Sequence, residues 1–102
     1  MSGADRIALI GAGNIGISWA IVFARGEYSV QLFDRCEQVL KGALHVMRER
    51  LLAMDRACLL NENVEDVLRR VTLARSMGDA LDGADHVQES VIEDLEGVFN
   101  FV

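Results

Sequence analysis

The chain has 102 residues, of which 51% are hydrophobic and 25% charged, with a formal net charge of −6. That length carries one domain at most, and the balance is that of an ordinary globular protein. The acidic surplus argues against nucleic acid and against an anionic membrane surface as partners, since both reward basic patches.

Residues 1–5 read as a short disordered lead, without the basic and apolar regions of a signal peptide. Ile7, Ala8, Leu9 and Ile10 form an apolar run without alternation, the signature of a strand buried on both faces. The first strand is therefore expected over residues 6–10. It ends at Gly11-Ala12-Gly13-Asn14-Ile15-Gly16, a G-x-G-x-x-G, and a helical pattern follows through Ile15, Trp19, Val22 and Phe23. That helix is expected over residues 14–25, with Gly26 taking the left-handed conformation that ends it. A second strand over residues 29–34 stops at Asp34, eighteen residues after Gly16.

Each part of this stretch has a distinct physical role. Gly11 permits a tight turn, Gly13 lets backbone approach a pyrophosphate, and Gly16 lets the helix pack closely on the strand. The helix N-terminus offers unpaired N–H groups and a positive dipole end to phosphates. Asp34 can accept hydrogen bonds from a ribose diol and repels a 2′-phosphate. The expected ligand is NAD(H), with NADP(H) disfavoured. A glycine-rich turn without ligand is the bland alternative, but strand, helix and acid all stand where the motif requires them. FAD competes for the same fingerprint, and domains that bind S-adenosylmethionine share the acid. Arg35 could partner a 2′-phosphate; beside Asp34 it reads as solvated or stacked on adenine.

From Cys36 the period is helical. Leu40, Leu44, Met47, Leu51, Met54 and Cys58 fall on one stripe, with Lys41, His45, Arg48 and Arg56 largely off it. A stop follows at residues 59–61, and Asn63 is placed to cap a short helix through Val64, Val67 and Leu68, with Glu65 and Asp66 in its first turn. This helical pair exceeds what a minimal βαβ crossover needs. Its basic residues are either a solvated face or a contact for an anionic substrate tail. Residues 71–74 read as strand three. Residues 76–81 read as a short helix whose end Asp79, Asp82 and Gly83 mark, and residues 85–91 as strand four. Leu95, Val98, Phe99 and Val102 then give a final helical stripe, interrupted by Gly97. No apolar run approaches a membrane span. Cys36 and Cys58 sit in helical patterns without metal-ligand spacing and read as free thiols of a reducing cytoplasm.

Four stretches, IGAGNIGISWAIVFA, VQLFD, ALDGADHVQES and VIEDLE, carry a resemblance. The chain resembles the N-terminal cofactor domain of the 3-hydroxyacyl-CoA dehydrogenase family, on its lambda-crystallin, gulonate 3-dehydrogenase and carnitine dehydrogenase branch. The resemblance implies an α/β Rossmann-type parallel sheet of about four strands, order 3-2-1-4, with the helical excursion after strand two. It implies NAD as cofactor and oxidation of a 3-hydroxy group to a ketone. Position by position, Gly11, Gly13, Asn14, Ile15 and Gly16 match the pyrophosphate loop, and Asp34 matches the ribose-binding acid. Glu93 matches a glutamate at the cofactor, and Ser90 and Val91 fall where backbone passes the nicotinamide ribose. The family commonly has proline where this chain has Ile92, and a cofactor-serving lysine at the position of Val98.

The family's catalytic histidine–glutamate dyad lies on later strands, beyond the 102 residues, as does its C-terminal helical domain. His45, mid-helix, and His86, at the start of a strand, read as surface or packing residues, and Glu89 as structural or supporting. No Ser/His/Asp or Cys/His arrangement can be assembled. The expectation is one partial NAD-binding domain over residues 1–102, not catalytic alone. The alternative is a stand-alone nucleotide-binding or homo-oligomeric interaction module, or a decayed reading frame. Strand four as an exposed apolar edge, with the final helical stripe, predicts a homodimer across one or the other.

Overall fold

In the computed structural model, which describes residues 5–90, the chain alternates strands and helices around one parallel sheet. The elements are β1 (Arg6–Ile10), α1 (Asn14–Arg25), β2 (Ser29–Phe33), α2 (Glu37–Arg56), α3 (Val64–Leu68), β3 (Val71–Leu73), α4 (Met77–Leu81) and β4 (His86–Glu89). The strand order is β3-β2-β1-β4, as expected, and β1 runs parallel to both neighbours. The register sets Ile10 beside Phe33 and Glu89, so these residues share the carboxyl edge of the sheet.

β1 is buried on both faces because its alternating side chains enter two different cores. Ile7 and Leu9 pack with Ile17, Ile21, Leu32, Met47 and Leu51 in the larger core, beneath α1, α2 and α3. Ala8 and Ile10 face a smaller core with Ala74 and Ala80, on the α4 side. The expected stripe of α2 faces the larger core at Met47 and Leu51, joined there by Ala43. Ala43, Met47 and Leu51 are fully buried, whereas Leu40 and Leu44 are only partly so.

Several boundaries differ from expectation for identifiable reasons. Asp5 is already tied to the sheet, its carbonyl accepting from the Ser29 N–H at 3.1 Å. β2 stops at Phe33 because the Asp34 side chain turns back to bond backbone. Ser76 is the N-cap of α4, its hydroxyl accepting from the Asp79 N–H, and Asn63 caps α3 as expected by accepting from the Glu65 N–H. Gly83, with φ +73°, takes the left-handed turn that ends the α4 segment. Asp85 lies before β4, its carboxylate accepting from the Arg6 N–H at 2.8 Å. The expected end of strand four at Val91, the final helical stripe over residues 93–102 and the site residue Glu93 lie outside the described residues.

Gly26 is not left-handed. Its φ is −81°, and the next residue, Glu27, adopts φ +72° instead. The Tyr28 N–H bonds the Phe23 carbonyl and the Glu27 N–H bonds the Ala24 carbonyl, which closes the helix in a Schellman motif. The Phe23 and Tyr28 rings meet edge to face at 5.9 Å, and a Cβ on Gly26 would stand 3.3 Å from the Tyr28 ring. Gly26 is thus small to admit that ring. α2 ends in the same way with Cys58 at φ +61°, so Cys58 stands beyond the helix and Cys36 stands before it as N-cap. Both thiols are free and exposed.

Two of the four basic residues of α2 are paired among the described residues. Lys41 meets Glu37 at 3.5 Å, and Arg48 donates two hydrogen bonds to Glu65. Those bonds hold the Glu65 carboxyl below the usual range, yet the pair is exposed and adds little to stability.

Candidate functional site

At the carboxyl edge of the sheet the chain leaves β1 through Gly11, whose φ of +114° is inaccessible to a side-chain-bearing residue without strain. Its N–H donates to the Phe33 carbonyl at 2.7 Å, which extends the β1–β2 ladder by one rung. Gly16 lies directly behind this turn, and a Cβ there would fall within 1.8 Å of the Gly11 carbonyl oxygen. Gly13, the N-cap of α1, has nothing within 4 Å of where a Cβ would stand. The first turn of α1 carries no side-chain cap and no acidic residue, so its N–H groups and positive dipole end are left bare. Gly11 and Gly16 thus each have a reason within the fold itself, whereas the space beside Gly13 is open.

Asp34 closes the opposite wall. One carboxylate oxygen accepts from the Ala12 N–H at 2.8 Å and the other from the Cys36 N–H at 2.7 Å. The side chain thereby ties the glycine turn to the start of α2, and each oxygen keeps a further lone pair. Between these walls lies a cleft of about 670 Å³, within the range of small-molecule sites. Gly11, Gly13, Asp34, Arg35 and Ser90 line it together, with Ile10, Cys36, Val39, Met77 and Glu89. Val39 and Met77 make an apolar side. The backbone N–H of Ser90 donates to the Ile10 carbonyl at 2.8 Å, and its buried Oγ has no hydrogen-bond partner among the described residues.

This cradle, with an open position at Gly13 and bare helix donors, fits a dinucleotide. The family model for the 3-hydroxyacyl-CoA dehydrogenase NAD binding domain matches residues 6–97. The chain belongs to that family. It is similar to the human lambda-crystallin homologue, 36% identical across 93% of this chain and 30% of that protein. It is also similar to an L-carnitine dehydrogenase/betainyl-CoA thioesterase of Rhizobium, 33% identical across 94% of this chain and 19% of that one. Among solved structures, FadB2 of M. tuberculosis superposes with a TM-score of 0.80 at 26% identity, covering 90% of this chain and 32% of that one. The 3-hydroxybutyryl-CoA dehydrogenase of Escherichia coli superposes with a TM-score of 0.75 at 30% identity, covering 94% and 20%. The chain thus spans about a third or less of the length of these relatives, and its cofactor is NAD.

In this NAD-binding domain not every expected site residue reaches the cleft. Asn14 and Ile15 stand exposed on the first turn of α1, outside the lining, and Gly16 is buried behind the turn. Val91 and Glu93 lie outside the described residues. Glu89, read from sequence as structural, lines the cleft instead. The register Ile10↔Glu89 places it at the carboxyl edge, a position that counting along parallel strands from Ile10 could have revealed. Val39 and Met77 carried no signal beyond apolarity, because only the packing of α2 and α4 brings them to the cleft. Arg50, also unremarked in the sequence, bonds the start of α1.

His86 pairs in register with Ile7, three residues below the edge, which is about 10 Å from it. Its ring lies 6.0 Å from that of Phe23. His45 is exposed mid-helix in α2, and neither histidine lines the cleft. Among the described residues no cluster of His, Cys, Asp and Glu suits a metal ion, and no helix is long and apolar enough to cross a membrane.

Proposed function

We propose that the cleft is the NAD(H) site of a dehydrogenase that oxidises a 3-hydroxy group to a ketone, and that this chain supplies the cofactor half of that reaction. The observation that carries the reading is the space above Gly13, open between the bare N-terminus of α1 and the Asp34 carboxylate. In this reading Gly11, Gly13, Asn14, Ile15 and Gly16 form the diphosphate loop, and Gly13 leaves backbone within reach of the phosphates. Asp34 uses its remaining lone pairs on the adenosine ribose hydroxyls, and its charge opposes a 2′-phosphate. Arg35, Val39 and Met77 supply the flat and apolar surroundings an adenine ring requires. Ser90, Val91, Glu93 and, by its position in the cleft, Glu89 belong to the nicotinamide end. Bound NAD supplies the hydride acceptor. The cleft contains neither histidine, so proton removal from the substrate hydroxyl is assigned to a base from a further segment or a partner. The exposed thiols suit a reducing, cytoplasmic setting.

Calorimetric titration of the purified chain with NADH and NADPH tests this. Binding of NADH in the micromolar range is expected, with NADPH and the Asp34→Ala variant each weaker by at least about tenfold. A folded sample that takes up neither nucleotide would overturn the reading in favour of a stand-alone interaction module.

A second reading concerns assembly. Val87 is 46% exposed on β4, which pairs only with β1 among the described residues. An open strand edge that carries an exposed apolar side chain favours a homodimer across β4. Light scattering on the eluting chain at tens of micromolar should give twice the monomer mass, and the monomer mass would rule the dimer out.

A further inference from the structure

Arg50 reaches from α2 across to the first turn of α1. Its Nη2 donates to Asn14 Oδ1 at 2.8 Å, and its Nη1 donates to Ser18 Oγ at 3.1 Å and to the Asn14 carbonyl at 3.3 Å. A cation at the start of a helix is electrostatically disfavoured, because the unpaired N–H groups there already carry partial positive charge. Arg48, two positions earlier on the same helix, is paired with Glu65, whereas no carboxylate among the described residues pairs with Arg50. α1 has no acidic residue in its first turn.

The same contacts fix the Asn14 amide. With Oδ1 committed to Arg50, the NH2 group is the branch left to donate elsewhere. Of the five N–H donors of a guanidinium, the three bonds to Asn14 and Ser18 leave two unused. The start of α1 therefore assembles bare backbone N–H groups, an oriented amide and a guanidinium charge unpaired among the described residues, next to the open position at Gly13. All are donors and none is an acceptor. That set is the complement of a diphosphate.

We propose that Arg50 is a positioning residue for the diphosphate of the dinucleotide, locking Asn14 with its amide donors free and adding positive charge at the start of α1. The inference rests on the NAD(H) reading above, and it makes the helical excursion part of the cofactor site.

The test titrates the full chain, Arg50→Met and Arg50→Lys with NADH, ADP and adenosine at two salt concentrations, adenosine being followed by NMR. Arg50→Met is expected to weaken NADH and ADP by about tenfold while changing adenosine by less than about twofold, and to flatten the salt dependence of ADP binding. Arg50→Lys should recover part of the loss, keeping the charge but not the planar fork. Asn14→Ala combined with Arg50→Met should weaken ADP no more than the larger single effect, since one residue acts through the other. Where Arg50→Met does not fold, Arg50→Lys decides alone: a loss confined to NADH and ADP supports the proposal. Unchanged ADP affinity in a chain that binds NADH overturns it, and so does an equal loss for ADP and adenosine, the mark of a structural contact. A wild-type chain that binds no NADH instead overturns the NAD(H) reading itself.

Discussion

The two ends of α1 are built on opposite principles. At its C-terminus the Schellman bonds from Glu27 and Tyr28 satisfy the Ala24 and Phe23 carbonyls, and the Phe23 and Tyr28 rings seal the turn. Arg70 adds a second bond to the Ala24 carbonyl at 2.7 Å, a cation where the helix dipole favours one, and Glu62 balances it at 2.8 Å. The hydrogen bond to Glu62 raises the guanidinium pKa above its ordinary value. At the N-terminus there is no cap and no acid, and the nearby cation stands where the dipole disfavours one. The ends are about 18 Å apart for a helix of 12 residues. Stability is gathered at one end, and unsatisfied donors are held ready at the other.

That contrast can be broken first at Gly16. A methyl there must displace the Gly11 carbonyl that would lie 1.8 Å away, so Gly16→Ala should cost about 3 kcal/mol or more and remove NADH binding with it. A loss in chemical unfolding below about 1 kcal/mol would mean the turn relaxes freely, and the packing argument would fail. Gly13→Ala separates the two principles more finely. Its Cβ meets nothing within 4 Å, so the melting temperature should hold while NADH affinity drops by about tenfold. Equal affinity would show that the space above Gly13 is not where the diphosphate lies. The smallest effect belongs to the closed end. Glu27→Gly relieves a left-handed side-chain-bearing residue and should stabilise the fold by about 0.5–1 kcal/mol with NADH binding unchanged. A destabilised variant would show that the Glu27 charge, which acts on Arg70, outweighs its backbone strain.

Much of this was legible in the sequence. The unalternating run at Ile7–Ile10 and the glycine spacing placed β1, the turn and α1 where they stand, because strand burial and glycine geometry are local consequences of residue type. Asp34 was legible as an acid at the right distance, but its bonds to Ala12 and Cys36 were not. They depend on how two loops meet. Gly26 misled because glycine usually marks the left-handed position, and here that position falls to Glu27 while the Tyr28 ring packs close against Gly26. Glu89 was missed because a strand's alternation does not say which of its residues reaches the carboxyl edge.

The sequence by itself determined the alternating architecture, the family and its cofactor, since those rest on short-range spacing that any folded copy must respect. Tertiary structure alone decided which side chains share the cleft. It brought Val39 and Met77 into one cleft with Asp34, left Ser90 Oγ without a partner among the described residues, and carried Arg50 to Asn14 from 36 positions away. Those meetings follow from packing angles between helices and register between strands, which no local pattern encodes.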